Sequence, residues 1–211
     1  MILMNTKEEA MEIKMEIKPR QLEIIEATGK LLTTSGISGL TIKNLATEMN
    51  FTESAIYRHF RSKEEIVLTL LQYLHENVIR IIKEASDKQS GDFEKDFITL
   101  FRKLTLYFKE NPYYVVVVFS EGLLDESAQI SKRIIRLMNT LTRQVESIIL
   151  EGQKQQKILS SLTPEQIAQI VIPAFRYQMF RWKLSNFESD IDLNIRLLSH
   201  SLMDLLKVRP A

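Results

Sequence analysis

Between Thr41 and Lys63 the chain carries hydroxyls, cations and a carboxylate at the spacing of two short helices: Thr41, Thr52, Glu53, Ser54, Tyr57, Arg58, His59 and Lys63. On nucleic acid such groups do two kinds of work. Hydroxyl, guanidinium and carboxylate groups exchange hydrogen bonds with base edges in the major groove, while ammonium, imidazole and phenol groups donate to phosphate oxygens. A short helix over 53–60 would bury Ala55, Ile56 and Phe60. Glu53, Ser54, Tyr57 and Arg58 would then share its outer face, with Thr52 and Glu53 at the leading end, where a recognition helix meets bases. Tyr57, His59 and Lys63 are types that donate to phosphates. Helix starts at Thr41 and Ser62 add backbone N–H groups and a positive dipole end. Spacing alone leaves a second reading open, because short helix pairs also arise as plain packing elements.

The charge distribution favours a polyanion only mildly. Residues 18–63 hold seven Lys/Arg against four acids, whereas residues 64–211 balance at nineteen of each. The basic excess is thus confined to the segment carrying the polar constellation.

Other chemistries find little support. With no cysteine, disulfides, thiolate catalysis and cysteine-type zinc sites are excluded. His59, His75 and His200 lack metal-ligand spacing, so no metal is expected. No nucleophile–base pair or phosphate loop is legible either, and neither an enzyme nor a cofactor is expected. The longest apolar run, Tyr113 to Phe119, is too short to span a bilayer. The N-terminus mixes Lys with Glu and lacks the apolar region of a signal peptide, so the expected location is cytoplasmic.

Few turn residues, six Gly and five Pro, point to an all-α chain, read here as about nine helices. Residues 1–17, with methionines at 1, 4, 11 and 15, leave the translational start open and form a tail or helical extension. A first helix runs from Pro19 to a stop at Ser35-Gly36. Thr41 caps a second with Ile42, Leu45, Ala46 and Met49 on one side, and Asn50 suits the left-handed turn that ends it. Ser62 and Glu65 form a capping box that opens a long helix to about Ala85. Residues 86–92 read as a linker. Asp92 caps a helix carrying Phe93, Phe97, Phe101, Leu104 and Phe108, and Asn111-Pro112 restarts another with Asn as cap. The run at 115–119 reads as buried helix. A break at Asp125 precedes a helix with Ile130, Ile134, Leu137, Leu141, Val145 and Ile148 on one side. Residues 152–157 read as a loop. Thr163-Pro164-Glu165-Gln166 opens a helix to about Leu184, and Asp190 or Asp192 starts the last, ending near Lys207.

The run Gly39-Leu40-Thr41-Ile42, Leu45-Ala46 and Phe51 through Ile66, with its Tyr57-Arg58-His59-Phe60-Arg61-Ser62-Lys63-Glu64-Glu65-Ile66 core, closely resembles the DNA-binding domain of the tetracycline-repressor (TetR) family. The likeness covers roughly residues 18–70 and departs at the turn, where Asn50 stands in place of the usual Gly. It implies a three-helix, helix-turn-helix DNA-binding domain at 18–65, joined by a long helix to a helical regulatory and dimerisation domain at 66–211. It further implies that Thr41, Tyr57, His59 and Lys63 contact the phosphate backbone, while Lys43, Thr52, Glu53, Ser54 and Arg58 face the groove.

For the rest, the resemblance implies a homodimer held by the helices at about 164–184 and 191–206. On their apolar stripes, Ile167, Val171, Ala174, Ile195, Leu198 and Leu202 are the expected interface residues. Two identical heads imply a palindromic duplex-DNA operator. The resemblance also implies a ligand pocket among the middle helices, and the aromatic-rich stretch from Phe97 to Phe119 suits a small apolar or amphipathic ligand. Phe101, Leu104, Phe108, Phe119, Met138 and Phe175 are the expected pocket residues, although any one of these aromatics reads as well as plain core. Glu121, Arg176 and Arg181, each flanked by apolar residues, read as salt-bridged or exposed charges. The expected function is a ligand-responsive homodimeric repressor. The alternative is a helical protein-binding adaptor without DNA specificity.

Overall fold

A computed structural model describes residues 17–86, 92–120 and 127–208. Nine helices lie among them: α1 (Pro19–Gly39), α2 (Ile42–Glu48), α3 (Glu53–Tyr57), α4 (Lys63–Ser86), α5 (Phe93–Glu110), α6 (Tyr113–Val118), α7 (Ala128–Lys154), α8 (Pro164–Leu184) and α9 (Ile191–Leu206). The fold is all-α. Residues 87–91 of the linker, the break at Asp125 and nearly all of the N-terminal tail lie outside the described residues.

Local chemistry sets most helix starts. The side chains of Thr41, Thr52, Ser62, Asp92, Ser127, Thr163 and Asp190 each accept a hydrogen bond from a backbone N–H in the first turn they precede. At Ser62 the box differs from the expected form, since the Glu65 carboxylate accepts from the N–H of Arg61, one residue before the cap. Asn111 is not the cap of α6. Its side chain is taken up by the Tyr107 carbonyl and the Tyr113 hydroxyl, and the helix begins after Pro112.

Two ends come where the sequence places them. α1 breaks at Gly36 (φ 63°) and resumes for a short tail to Gly39. α2 ends in a Schellman turn, with Asn50 at φ 54°, Phe51 N–H on Ala46 O (2.8 Å) and Asn50 N–H on Thr47 O (3.1 Å). Two other ends differ. α3 stops at Tyr57, not at residue 60, and α7 runs through Gly152 to Lys154 before turning at Gln156.

α1, α2 and α3 close over Ile24, Ile25, Leu32, Leu45, Ile56 and Phe60, all buried together with Ile66 at the start of α4. Each such side chain contributes about 1.5–3 kcal/mol of burial, which is how so short a helix as α3 is held. Beyond, α7 packs on α4, α5 and α8, while α9 lies against α5 and α8. The 115–118 run is helical and buried, as expected. α1 also packs along α6, with the Tyr113 ring lying over Gly29.

The expected interface residues need correction. Ile167, Val171, Ile195 and Leu202 are buried within one chain, and Ala174 and Leu198 are half-buried there. The exposed large apolar side chains of α8 and α9 are instead Ile170, Tyr177, Phe180 and Leu184, and Leu193, Leu197 and Leu205.

Candidate nucleic-acid interface

α2, the turn at 49–52 and α3 form a helix-turn-helix whose inner side is fixed by Leu45, Ala46, Ile56 and Phe60. The outer side carries the polar set. Thr41, Lys43, Thr52, Glu53, Ser54, Tyr57 and Arg58 are exposed, and His59 and Lys63 half-buried. Tyr57 keeps 52% of its surface open to solvent, unusual for so large an aromatic, so the ring is available to a partner.

The caps prepare two of these hydroxyls. Thr41 Oγ1 accepts from Asn44 N–H (3.0 Å) and Thr52 Oγ1 from Ala55 N–H (3.2 Å). Each threonine spends an oxygen lone pair on its helix; the Thr41 proton remains for donation, and Thr52 and Ser54 have one free proton between them. Ser54 Oγ lies 2.9 Å from Thr52 Oγ1, so these two hydroxyls act as a pair. At the far end of α3, Gln21 of α1 donates to the His59 carbonyl (3.3 Å), which pins the chain as it leaves the helix. Arg20, not singled out from sequence, stacks over Phe51 of the turn at 5.2 Å and pairs with Glu23.

A second feature lies in the body, a cavity of about 30 Å³ between α5, α6, α7 and α8. Of the expected pocket residues, Phe108, Phe119, Met138 and Phe175 line it. Phe101 does not; its ring packs at a tilt against Phe175 (4.9 Å) and Phe97 (4.8 Å), behind the wall. Leu104 is buried in the core and is also off the wall. Sequence reasoning missed Val115, Val118, Leu137 and Leu141, although Met138 sits beside Leu137 on a periodic apolar helix.

It also misjudged Arg176. The side chain lines the cavity, half-buried, with its guanidinium 5.1 Å from the centre of the Phe119 ring. Its Nε is buried without a hydrogen-bond partner, and burial lowers its pKa from the ordinary arginine value. Lys183, two turns along α8, donates to the Phe119 carbonyl (3.3 Å). Arg181 is exposed beside Tyr177, and Glu121 lies outside the described residues.

Head and cavity share elements. α6 supplies Val115 and Val118 to the wall and Tyr113 to the contact with α1. α7 supplies Leu137, Met138 and Leu141, and is tied to α4 by a polar seam. In that seam Ser127 donates to Glu64, Arg133 donates to Gln72, and His75 Nε2 lies 2.9 Å from Thr140 Oγ1. Nearby, burial raises the phenol pKa values of Tyr107, Tyr113 and Tyr114, so these hydroxyls are neutral at physiological pH.

Among the described residues no three His, Asp or Glu side chains converge as metal ligands would, and no helix is long and apolar enough to cross a membrane.

Comparison with known proteins agrees with this geometry. Residues 24–70 match the family described as bacterial regulatory proteins, tetR family. The nucleoid occlusion factor SlmA of Vibrio atlanticus is 30% identical over 134 residues, which cover 63% of this chain and 67% of that protein. Among solved structures, the MbdR regulator of Azoarcus sp. CIB superposes with a TM-score of 0.78 at 20% identity, covering 89% of this chain and all of the other. The transcriptional regulator FadR of Bacillus subtilis, solved in complex with stearoyl-CoA, gives a TM-score of 0.69 at 16% identity over 87% and 96% of the two chains. With its helix-turn-helix presented on an all-helical body, this chain belongs to the TetR family of bacterial regulatory proteins and is a DNA-binding regulator.

Proposed function

We propose that this protein is a homodimeric transcriptional repressor that releases a palindromic operator when a small apolar or amphipathic molecule enters the cavity. In this reading residues 18–65 are the DNA-binding head and residues 66–211 the sensing and dimerising body. The protein works on the chromosome in the cytoplasm. Lys43, Thr52, Glu53, Ser54 and Arg58 face the groove, while Thr41, Tyr57, His59 and Lys63 hold the phosphates.

One observation carries the ligand response: α6 belongs both to the cavity wall and to the contact with the head. At about 30 Å³ the cavity holds little more than water, so a larger molecule enters only by moving its walls. Moving α6 shifts the Tyr113 ring against Gly29 of α1, and moving α7 pulls the polar seam on α4. Either motion tilts the heads. A dimer on DNA needs its recognition helices about 34–36 Å apart, or a multiple of that, and a ligand favouring another spacing must weaken DNA binding. DNA weakens the ligand by the same factor, roughly 5–150-fold.

The dimer is built from the outward apolar faces of α8 and α9. Exposed side chains as large as Ile170, Tyr177, Leu184, Leu197 and Leu205 on two adjacent helices need a partner surface.

The test is selection of bound duplexes from a random pool, followed by titration of the recovered site with and without apolar compounds. A palindromic motif whose affinity falls on adding a compound supports the reading. Binding with no sequence preference, as an adaptor would show, defeats it. The likeness to a nucleoid occlusion factor favours a second reading, in which the same head marks DNA for that purpose. Recovered motifs scattered over the chromosome, not gathered at promoters, would favour it.

A further inference from the structure

The cavity wall is apolar at all but one of its described positions, and the exception is Arg176. Its guanidinium meets Phe119 with the ring 5.1 Å away, and its Nε is buried with no acceptor. A guanidinium keeps its charge at physiological pH and carries five N–H donors in one plane. Folded chains normally supply acceptors for such donors. A cation–π contact meets the positive charge but accepts no conventional hydrogen bond, so the buried Nε–H remains for something else. An apolar wall with one unanswered donor edge is complementary to a molecule of opposite layout, with an apolar body ending in an anion.

We propose that Arg176 anchors the anionic end, a carboxylate or phosphate, of an amphipathic ligand whose apolar body lies against Phe108, Met138 and Phe175. This rests on the reading of the cavity as a ligand site. Both anions accept from the guanidinium fork in paired fashion, so the fork recognises the class and not the source. Lys183, holding the Phe119 carbonyl from the next turns of α8, keeps the aromatic plate beneath Arg176 in place and adds positive charge at the same end.

The experiment is calorimetric titration of the full chain with decanoate, palmitate, dodecyl phosphate and palmitoyl-CoA, with methyl decanoate and methyl palmitate as neutral controls. The anionic compounds should bind roughly 10- to 100-fold more tightly than the esters, the range of a charge-assisted hydrogen-bond pair. Carboxylates binding more tightly than the phosphate and the thioester would identify a free acid as the source, and the reverse order a phosphorylated one. Arg176→Met should bring every anion to ester affinity, while Arg176→Lys should retain part of the preference. Without ligand, Arg176→Met should melt at the same temperature as the parent or higher, because it removes a buried donor that nothing satisfies. If Arg176→Met fails to fold, Arg176→Gln in the same titration decides the matter. Esters binding as tightly as acids, or an anion preference that survives loss of Arg176, would overturn this role while leaving the cavity as a ligand site. Failure of every compound, esters included, to bind the folded protein would overturn the ligand site itself.

Discussion

At Gly29 helix propensity and packing oppose each other, which makes Gly29→Ala a sharp probe of the contact between head and body. A Cβ built there lies 2.8 Å from Cδ1 of Tyr113 and 2.9 Å from Cε1 and Cγ. Carbon atoms pack best at about 3.5–4.0 Å, so the methyl group overlaps the ring along its whole edge. The ring cannot simply yield: its hydroxyl donates to Asn111 (2.8 Å) and Tyr114 backs it at 4.4 Å. Overpacking of this kind costs about 1–3 kcal/mol, and the rigid backing places this case in the upper half. Replacing glycine by alanine within a helix returns about 1 kcal/mol. The net expectation is a loss of about 1–2 kcal/mol, or roughly 2–8 °C in melting temperature for a chain of this length. In a Tyr113→Ala background the overlap is gone, and the same substitution should stabilise by up to about 1 kcal/mol. Urea denaturation of the four proteins of this cycle, followed by circular dichroism, measures both effects. Operator binding by Gly29→Ala should weaken with an unchanged salt slope, since α1 is displaced while the phosphate contacts stay the same in number. If Gly29→Ala had the same sign and size in both backgrounds, the Tyr113 contact would not be what couples α6 to the head.

Three further outcomes are expected. Lys63→Ala should weaken binding to selected and random duplexes alike and lower the salt slope by about one unit, whereas Lys43→Ala or Ser54→Ala should change base preference, by about 1–3 kcal/mol where the side chain hydrogen-bonds a base edge well; gel shifts over a salt series separate the two. Ser62→Ala removes the side-chain acceptor of the Glu65 N–H at the start of α4 and should lower stability by about 1 kcal/mol in the same urea assay. Leu197→Glu, on the exposed face of α9, should give a folded monomer in sizing with light scattering, while Leu202→Glu, buried within the chain, should unfold it.

What sequence reading captured was governed by bonds reaching three or four residues. The caps at Thr41, Thr52, Ser62, Thr163 and Asp190 and the turn at Asn50 are local events, and the residues that make them are recognisable by type. The end of α3 was misplaced because a distant group helps set it. Gln21, 38 residues away, holds the His59 carbonyl, so residues 58–60 leave the helix to meet α1. The cavity was half legible for a similar reason. An apolar stripe says which face of α5 is buried, not which neighbour it meets, so Phe108 reaches the cavity while Phe101 packs against Phe97 and Phe175. Arg176 followed the general rule that a charge flanked by apolar residues is paired or exposed. Only the tertiary packing leaves its Nε buried and unanswered.

The proposed dimer face shows the limit most clearly. α8 is apolar on two sides: Ile167, Val171 and Phe175 recur at one helical spacing, and Ile170, Tyr177 and Leu184 at another. Periodicity finds both stripes and cannot rank them, because it reports apolar spacing and not which neighbour each stripe meets. The fold of one chain decides between them. Ile167 and Val171 are wholly buried within the protomer, while Ile170, Tyr177 and Leu184 keep 53%, 58% and 66% of their surface exposed. α9 repeats the pattern, with Ile195 buried and Leu197 and Leu205 open at 56% and 70%. A helix serving one core places mainly polar residues on its open face; α7 comes nearer to this, with Lys132, Arg136 and Arg143 beside the exposed Ile135 and Leu150, whereas α8 and α9 together open seven large apolar side chains. In the proposed homodimer a second copy of the same pair of helices, related by a two-fold axis, covers these faces without any further partner.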